Sequence, residues 1–136
     1  MILKANLHFH SKEDPHDILD YSLFDGIDKA VELGFNVLAS TCHTKNVCSD
    51  HHILYAAEKG LLLIPGIEAN IYERNSTRRN HVVILNCNKD VNTLRTFTDL
   101  QEYKKENPHT FVLAPHPYFY GDFSLKERLE KYIDFF

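Results

Sequence analysis

The chain is poor in cysteine: Cys42, Cys48 and Cys87 are an odd set without framework spacing. That excludes a disulfide scaffold and points to free thiols in a reducing compartment. Positive charge is not in excess either, the formal net charge being -4 with acids and bases mixed along the chain. A basic nucleic-acid face or a polybasic membrane patch is therefore not expected. No apolar run approaches the roughly 18 residues that a membrane helix needs. Lys4, Asn6 and His8 break the first apolar run before it resembles a secretory signal, so a cytoplasmic protein is expected. No repeat, low-complexity segment or linker is present, and 136 residues have room for one domain, residues 1–136.

What the chain does have is histidine, nine in all, and an apolar fraction of 43% that supports a core. Short apolar runs alternate with helical patterns. Residues 2–7 read as a first strand and 35–41, 61–67, 81–85 and 111–114 as four more. Between the first two, Leu23, Ile27, Ala30 and Val31 carry helical spacing that stops at Gly34. Ser49 or Asp50 caps a second helix that stops at Gly60. Thr98-x-x-Gln101 and Ser124-x-x-Glu127 read as capping boxes, the latter opening a final helix over residues 125–132. The polar stretch 73–80 reads as an exposed loop. Such β-α alternation predicts an α/β fold with a parallel sheet and right-handed crossovers, either open or part of a barrel.

In such folds reactive side chains gather beyond the carboxyl ends of the strands. His8 and His10 end the first strand, two apart and so on one face. His43 follows the second strand, Glu68 the third and His116 the fifth. His81 begins the fourth, or sits on a short strand reversed by the polar loop. Neutral imidazoles are ready metal ligands, and a carboxylate can bridge two cations. Ions in such pairs lie about 3.5–4 Å apart, activate water and clamp a transferring phosphoryl group. Zinc, manganese or iron suits a His/carboxylate set.

His8-x-His10, His16, Cys42-His43, Pro65-Gly66-Ile67-Glu68, His81 and Ala114-Pro115-His116-Pro117, in that order, resemble the motifs of the PHP (polymerase and histidinol phosphatase) family. The resemblance runs from Ile2 to about Tyr118. It implies a distorted seven-stranded β/α barrel with two to three divalent ions (zinc, manganese or iron). His8, His10 and Glu68 would bind one ion. Glu68 would share a second with His81 and His116. His16 and His43 would hold a third. Glu68, His43 and His116 are the residues expected to serve the reaction. Family members hydrolyse phosphomonoesters or phosphodiesters, or accompany bacterial DNA polymerases. A metal-dependent phosphoesterase with a small phosphorylated substrate is therefore expected; nucleic acid lacks a basic patch to bind it.

Two departures qualify the resemblance. Cys42 stands where the family usually has aspartate, and would loosen the surroundings of the ligands or bind a soft metal itself. No Asp-x-His follows His116, although the family carries one near a late strand. With five strands read, about two of the barrel would be absent, leaving an open edge beside the fifth strand that invites an oligomer. A fragment, or a shortened form closed by dimerisation, would explain this. The rival reading is a metal-binding or interaction domain without turnover. An amidohydrolase-type enzyme also begins with His-x-His, but its lysine bridge has no counterpart here.

Other residues carry duller expectations. His51, His52 and His109 read as surface or packing histidines, and Cys48 and Cys87 as inert thiols. Arg74, Arg78 and Arg79 read as a solvated loop, and Tyr118-Phe119-Tyr120 as a pocket rim.

Overall fold

The computed structural model describes residues 2–73, 75, 77–118 and 133–134. Its elements are β1 (Ala5–Phe9), α1 (Leu23–Glu32), β2 (Val37–Ser40), α2 (Asp50–Glu58), β3 (Leu62–Tyr72), β4 (Arg79–Leu85), α3 (Phe97–Glu106) and β5 (Phe111–Leu113). A short 3₁₀ helix, Lys89–Thr93, precedes α3. The expected final helix over residues 125–132 lies outside the described residues, as do Phe119 and Tyr120.

Local chemistry explains the boundaries. Ser22 caps α1 by accepting the Asp25 N–H, and Gly34 beyond its end adopts a φ of 72° that a side chain would strain. Ser49 caps α2, with His52 Nδ1 2.8 Å from its hydroxyl, so His52 has a structural task. The capping box of α3 is Thr96 with Asp99 rather than Thr98 with Gln101. Asp99 decides this, because its carboxylate accepts from the N–H groups of both Arg95 and Thr96.

The five strands form one sheet in the order β1-β2-β3-β4-β5. β1, β2 and β3 run parallel, as the alternation predicts. The parallel expectation fails at β4, which is antiparallel to both β3 and β5. The reason is chain length. β3 continues to Tyr72, past the expected end at 67, and the connection 73–78 is too short for a crossover of a dozen or more residues. The polar loop therefore folds β3 and β4 into a hairpin, the reversed alternative for His81.

The sheet is curled. Strands of a flat sheet lie about 4.8 Å apart, which would leave the first and fifth roughly 19 Å from each other. Yet Leu7 of β1, Ala39 of β2, Ile64 of β3, Val83 of β4 and Leu113 of β5 pack into one small cluster. This is the inner face. Below it lies an apolar cavity of about 370 Å³, walled by Leu7, Ile64, Leu85 and Phe111 among others. The outer face carries the helices. α1 and α2 cover it through Leu23, Ile27 and Ala56 against Leu38 and Leu63. α3 covers it through Leu100 and Tyr103 against Ile67, Ile71, Val82, Ile84 and Val112. The far edge of β5 is not bare: Asp134 donates its N–H to the Val112 carbonyl (2.8 Å) and its carboxylate accepts the Val112 N–H (2.7 Å).

Gly66, in the Pro65-Gly66-Ile67-Glu68 motif, sits where strands crowd. A Cβ there would meet the carbonyl oxygens of Ile84 at 2.9 Å and Ser40 at 3.1 Å. These are backbone atoms of two neighbouring strands and cannot yield separately. Gly66→Ala is expected to destabilise the fold by roughly 1–3 kcal/mol, measured as a lower denaturant midpoint.

Candidate metal centre

Alternation along the strands sets up the centre. Phe9 turns outward to pack under α1, so His8 and His10 on either side of it turn inward; the irregular register between Asn6 and Phe9 lets Leu7 face inward as well. Their Nε2 atoms come within 2.9 Å of each other. Glu68 lies within β3, not after it, on the inner face between outward-facing Ile67 and Ala69. The chain after β2 is tied to it by backbone: Glu68 N–H donates to the Cys42 carbonyl (3.1 Å), and Thr44 N–H to the Glu68 carbonyl (2.9 Å). That places His43 beside it. His81 on β4 pairs with Asn70 of β3 and points to the same side. His116 follows β5 with a φ of 34° between two prolines, a left-handed backbone of the kind that concentrates at functional sites.

Glu68 is 2% exposed, and five imidazoles converge on it. Oε2 lies 3.2 Å from His8 Nε2, 3.1 Å from His10 Nε2 and 3.1 Å from His43 Nε2. Oε1 lies 2.7 Å from His81 Nδ1 and 3.1 Å from His116 Nε2. Burial alone would raise the Glu68 carboxyl, but His10, His116, His8 and His81 outweigh it and hold it far below the usual carboxylate range. A carboxylate has about four lone-pair sites, fewer than the five nitrogens presented. The surplus of converging donors, and the contact of two Nε2 atoms, fit cations better than hydrogen bonds alone. Donors about 2.0–2.1 Å from one ion lie roughly 2.8–3.4 Å from each other, the range of all these contacts but the His81 one at 2.7 Å.

Asp14 completes the centre, and sequence reasoning missed it. It is buried, and its Oδ2 accepts the His43 N–H (2.7 Å) and approaches His10 Nδ1 (2.7 Å) and His43 Nδ1 (3.1 Å). Its Oδ1 accepts the N–H groups of His16 (2.8 Å) and Asp17 (3.1 Å). An ionised carboxylate only accepts, so Nδ1 of both rings carries the proton and both Nε2 lone pairs face Glu68. Burial opposes the charge of Asp14, but the His43 and His16 N–H groups and the His10 ring hold it at about 2. The available signal was Asp14-Pro15, an Asx-turn opener four residues after His10. Burial also lowers His43, whereas His10 is raised: burial opposes that shift, but Glu68 and Asp14 outweigh it.

Among the described residues, three groups come within ligating range of a common ion: His8, His10 and Glu68; His43, Glu68 and His81; and His10, Asp14, Asp17 and His43. His16 is in none of them. It is exposed, with Nε2 3.2 Å from Thr44 Oγ1 and its ring 5.7 Å from that of His43. Cys42 is buried against Ser11 Oγ at 3.5 Å, and burial pushes its thiol up. The neutral thiol is in none of the three groups. The carboxylate beside them comes from the β1–α1 loop, as Asp14. Arg79 stands on β4 and not in the loop, Arg74 lies outside the described residues, and Tyr118 is exposed.

No family model matches the chain, and no curated protein does. Solved structures do. An amidohydrolase from Chromobacterium violaceum, solved with bound sulfate and no metal, superposes with a TM-score of 0.52 at 24% identity. That match covers 63% of this chain and 28% of that one. A "putative metal-dependent phosphoesterase" from Bifidobacterium adolescentis matches with a TM-score of 0.51 at 18% identity, over 61% of this chain and 27% of the other. The fold is an incomplete α/β barrel. The matched part spans little more than a quarter of either neighbour. In this half-barrel the His/Glu/Asp cluster sits across the curl, with donors drawn from β1 through the segment after β5. No helix among the described residues is long and apolar enough to cross a membrane.

Proposed function

We propose that the chain is a PHP-type metal-dependent hydrolase domain, acting on phosphate esters. The observation that carries this is the single buried carboxylate of Glu68, with three imidazoles on one oxygen and two on the other. His8 and His10 with Oε2 would hold one divalent ion, and His81 and His116 with Oε1 a second. Zinc, manganese or iron suits these donors. Bound ions supply a water acidic enough to ionise near neutral pH and a clamp for the transferring phosphoryl group.

The chain's own residues do the rest. Asp14 keeps the proton on Nδ1 of His10 and His43, so that both rings present Nε2 inward. His43, kept neutral by burial, has its Nε2 3.1 Å from Oε2 and accepts a ligand or a proton there. His116 is the most open of the five rings, 32% exposed, and would face substrate from that side. Two ions would account for the donors around Glu68, while His16 turns to Thr44.

The amidohydrolase neighbour held sulfate, an anion of phosphate's shape, which supports an ester anion as ligand. The group between the two sets of rings is the Glu68 carboxylate, which speaks against a lysine-bridged amidohydrolase centre. Protein stripped with a chelator is expected to lose hydrolysis of p-nitrophenyl phosphate and to regain it with manganese or zinc. Undiminished turnover without metal would sink the proposal. Stoichiometric metal without hydrolysis of any phosphate ester would favour a binding domain.

A further inference from the structure

The β3–β4 hairpin runs on past the metal centre. Its inner face carries paired residues in layers: Glu68 opposite Val83, then Asn70 opposite His81, then Tyr72 opposite Arg79. Alternation puts Arg79 on the same side as His81, one layer further out, roughly 7 Å along the strand. A cavity of about 190 Å³ lies against this layer, lined by His16, Asp17, His43, Asn70, Arg79 and His81. Its floor is thus two of the rings that meet Glu68, and its wall holds a guanidinium. The side-chain oxygen of Asn70 is buried there without a hydrogen-bond partner among the described residues.

We propose that Arg79 forms an anion-binding wall facing the metal centre, and that this wall selects a phosphomonoester over a phosphodiester. The inference rests on the hydrolase reading above. Charge supports it. Glu68, Asp14 and Asp17 bring three negative charges; two divalent ions and Arg79 leave the site with two positive ones. A phosphomonoester carries about -1.5 to -2 at pH 7, whereas a diester carries one negative charge. Arg79 supplies paired N–H donors in the fork that phosphate oxygens accept. Without metal the three carboxylates dominate, and the wall alone does not hold an anion.

The test uses the full chain loaded with manganese, and inorganic phosphate as the probe. Arg79 is exposed, so Arg79→Gln is expected to fold and to keep its metal content. Titration calorimetry should show phosphate binding to the loaded wild type, none to the metal-free protein, and about tenfold or more weakening in Arg79→Gln. Arg79→Lys should fall between. With p-nitrophenyl phosphate and bis-p-nitrophenyl phosphate, wild type should prefer the monoester, and Arg79→Gln should lose kcat/KM on the monoester alone. Equal phosphate affinity in variant and wild type, equal losses on both esters, a wild-type preference for the diester, or loss of metal from Arg79→Gln would each overturn the wall. If wild type hydrolyses neither ester yet binds phosphate in an Arg79-dependent way, the wall stands and the hydrolase reading falls.

Discussion

Glu68→Gln is expected to drop bound metal from about two ions per chain to below one, and to cut phosphate-ester hydrolysis by about a thousandfold or more. Glutamine has nearly the same shape but one acceptor oxygen and no charge. Glu68 divides its two oxygens between two groups of rings, so one oxygen can serve only one group. Elemental analysis after gel filtration reads the loss directly; a variant that keeps two ions would remove the carboxylate from its bridging place. The metal-free protein offers a second readout. His10 is raised above its usual 6.5 mainly by Glu68 and Asp14 against the opposing effect of burial. A raised folded pKa stabilises below the unfolded value and is lost as pH rises through the folded one. The stability difference between wild type and Glu68→Gln, without metal, should therefore be largest below about pH 6.5 and shrink in mildly alkaline solution.

Asp14→Asn should lower metal affinity by roughly 10–100-fold while leaving Glu68 and its five rings in the chain, the effect expected when an outer partner of a metal-bound histidine is lost. The amide cannot accept as the carboxylate does from the His43 N–H and both Nδ1 atoms at once. The rings of His10 and His43 would lose their fixed tautomer. Competition titration with a metal indicator measures this, and an affinity unchanged within a factor of two would show Asp14 to be a packing residue only. The variant also has an acid signature. Asp14 titrates at about 2 in the fold against the usual 3.8. A depressed folded pKa stabilises above the unfolded value and is lost as pH falls through the folded one. Wild type should thus exceed Asp14→Asn by a constant margin above about pH 4, with the margin closing as pH falls toward 2.

Much of the centre was legible along the chain because strand ends and ligand types are local features. His8 and His10 needed only the alternation of one strand, and Phe9 between them packs outward as that alternation requires. Glu68 was legible through Pro65-Gly66, where Gly66 lets three strands approach. His16 was not. Its spacing from His10 matches the family motif, but the Asp14-Pro15 turn aims its ring at Thr44. Asp14 escaped because an acid in a turn usually faces solvent, and nothing nearby in sequence announces that a loop will fold inward.

The order of elements, the faces of their apolar residues and the identity of the six converging groups were determined by the sequence, since each depends on neighbours a few positions away. The direction of β4 was decided only when β3 ran on to Tyr72 and left too short a connection for a crossover. The meeting of His8 with His116 on one carboxylate was decided by the curl of the sheet, a sum over five strands. The partnership of Asp14 with Glu68 through His10 and His43 was decided the same way. Contacts between residues far apart in the chain depend on how every element packs, and no local pattern encodes that packing.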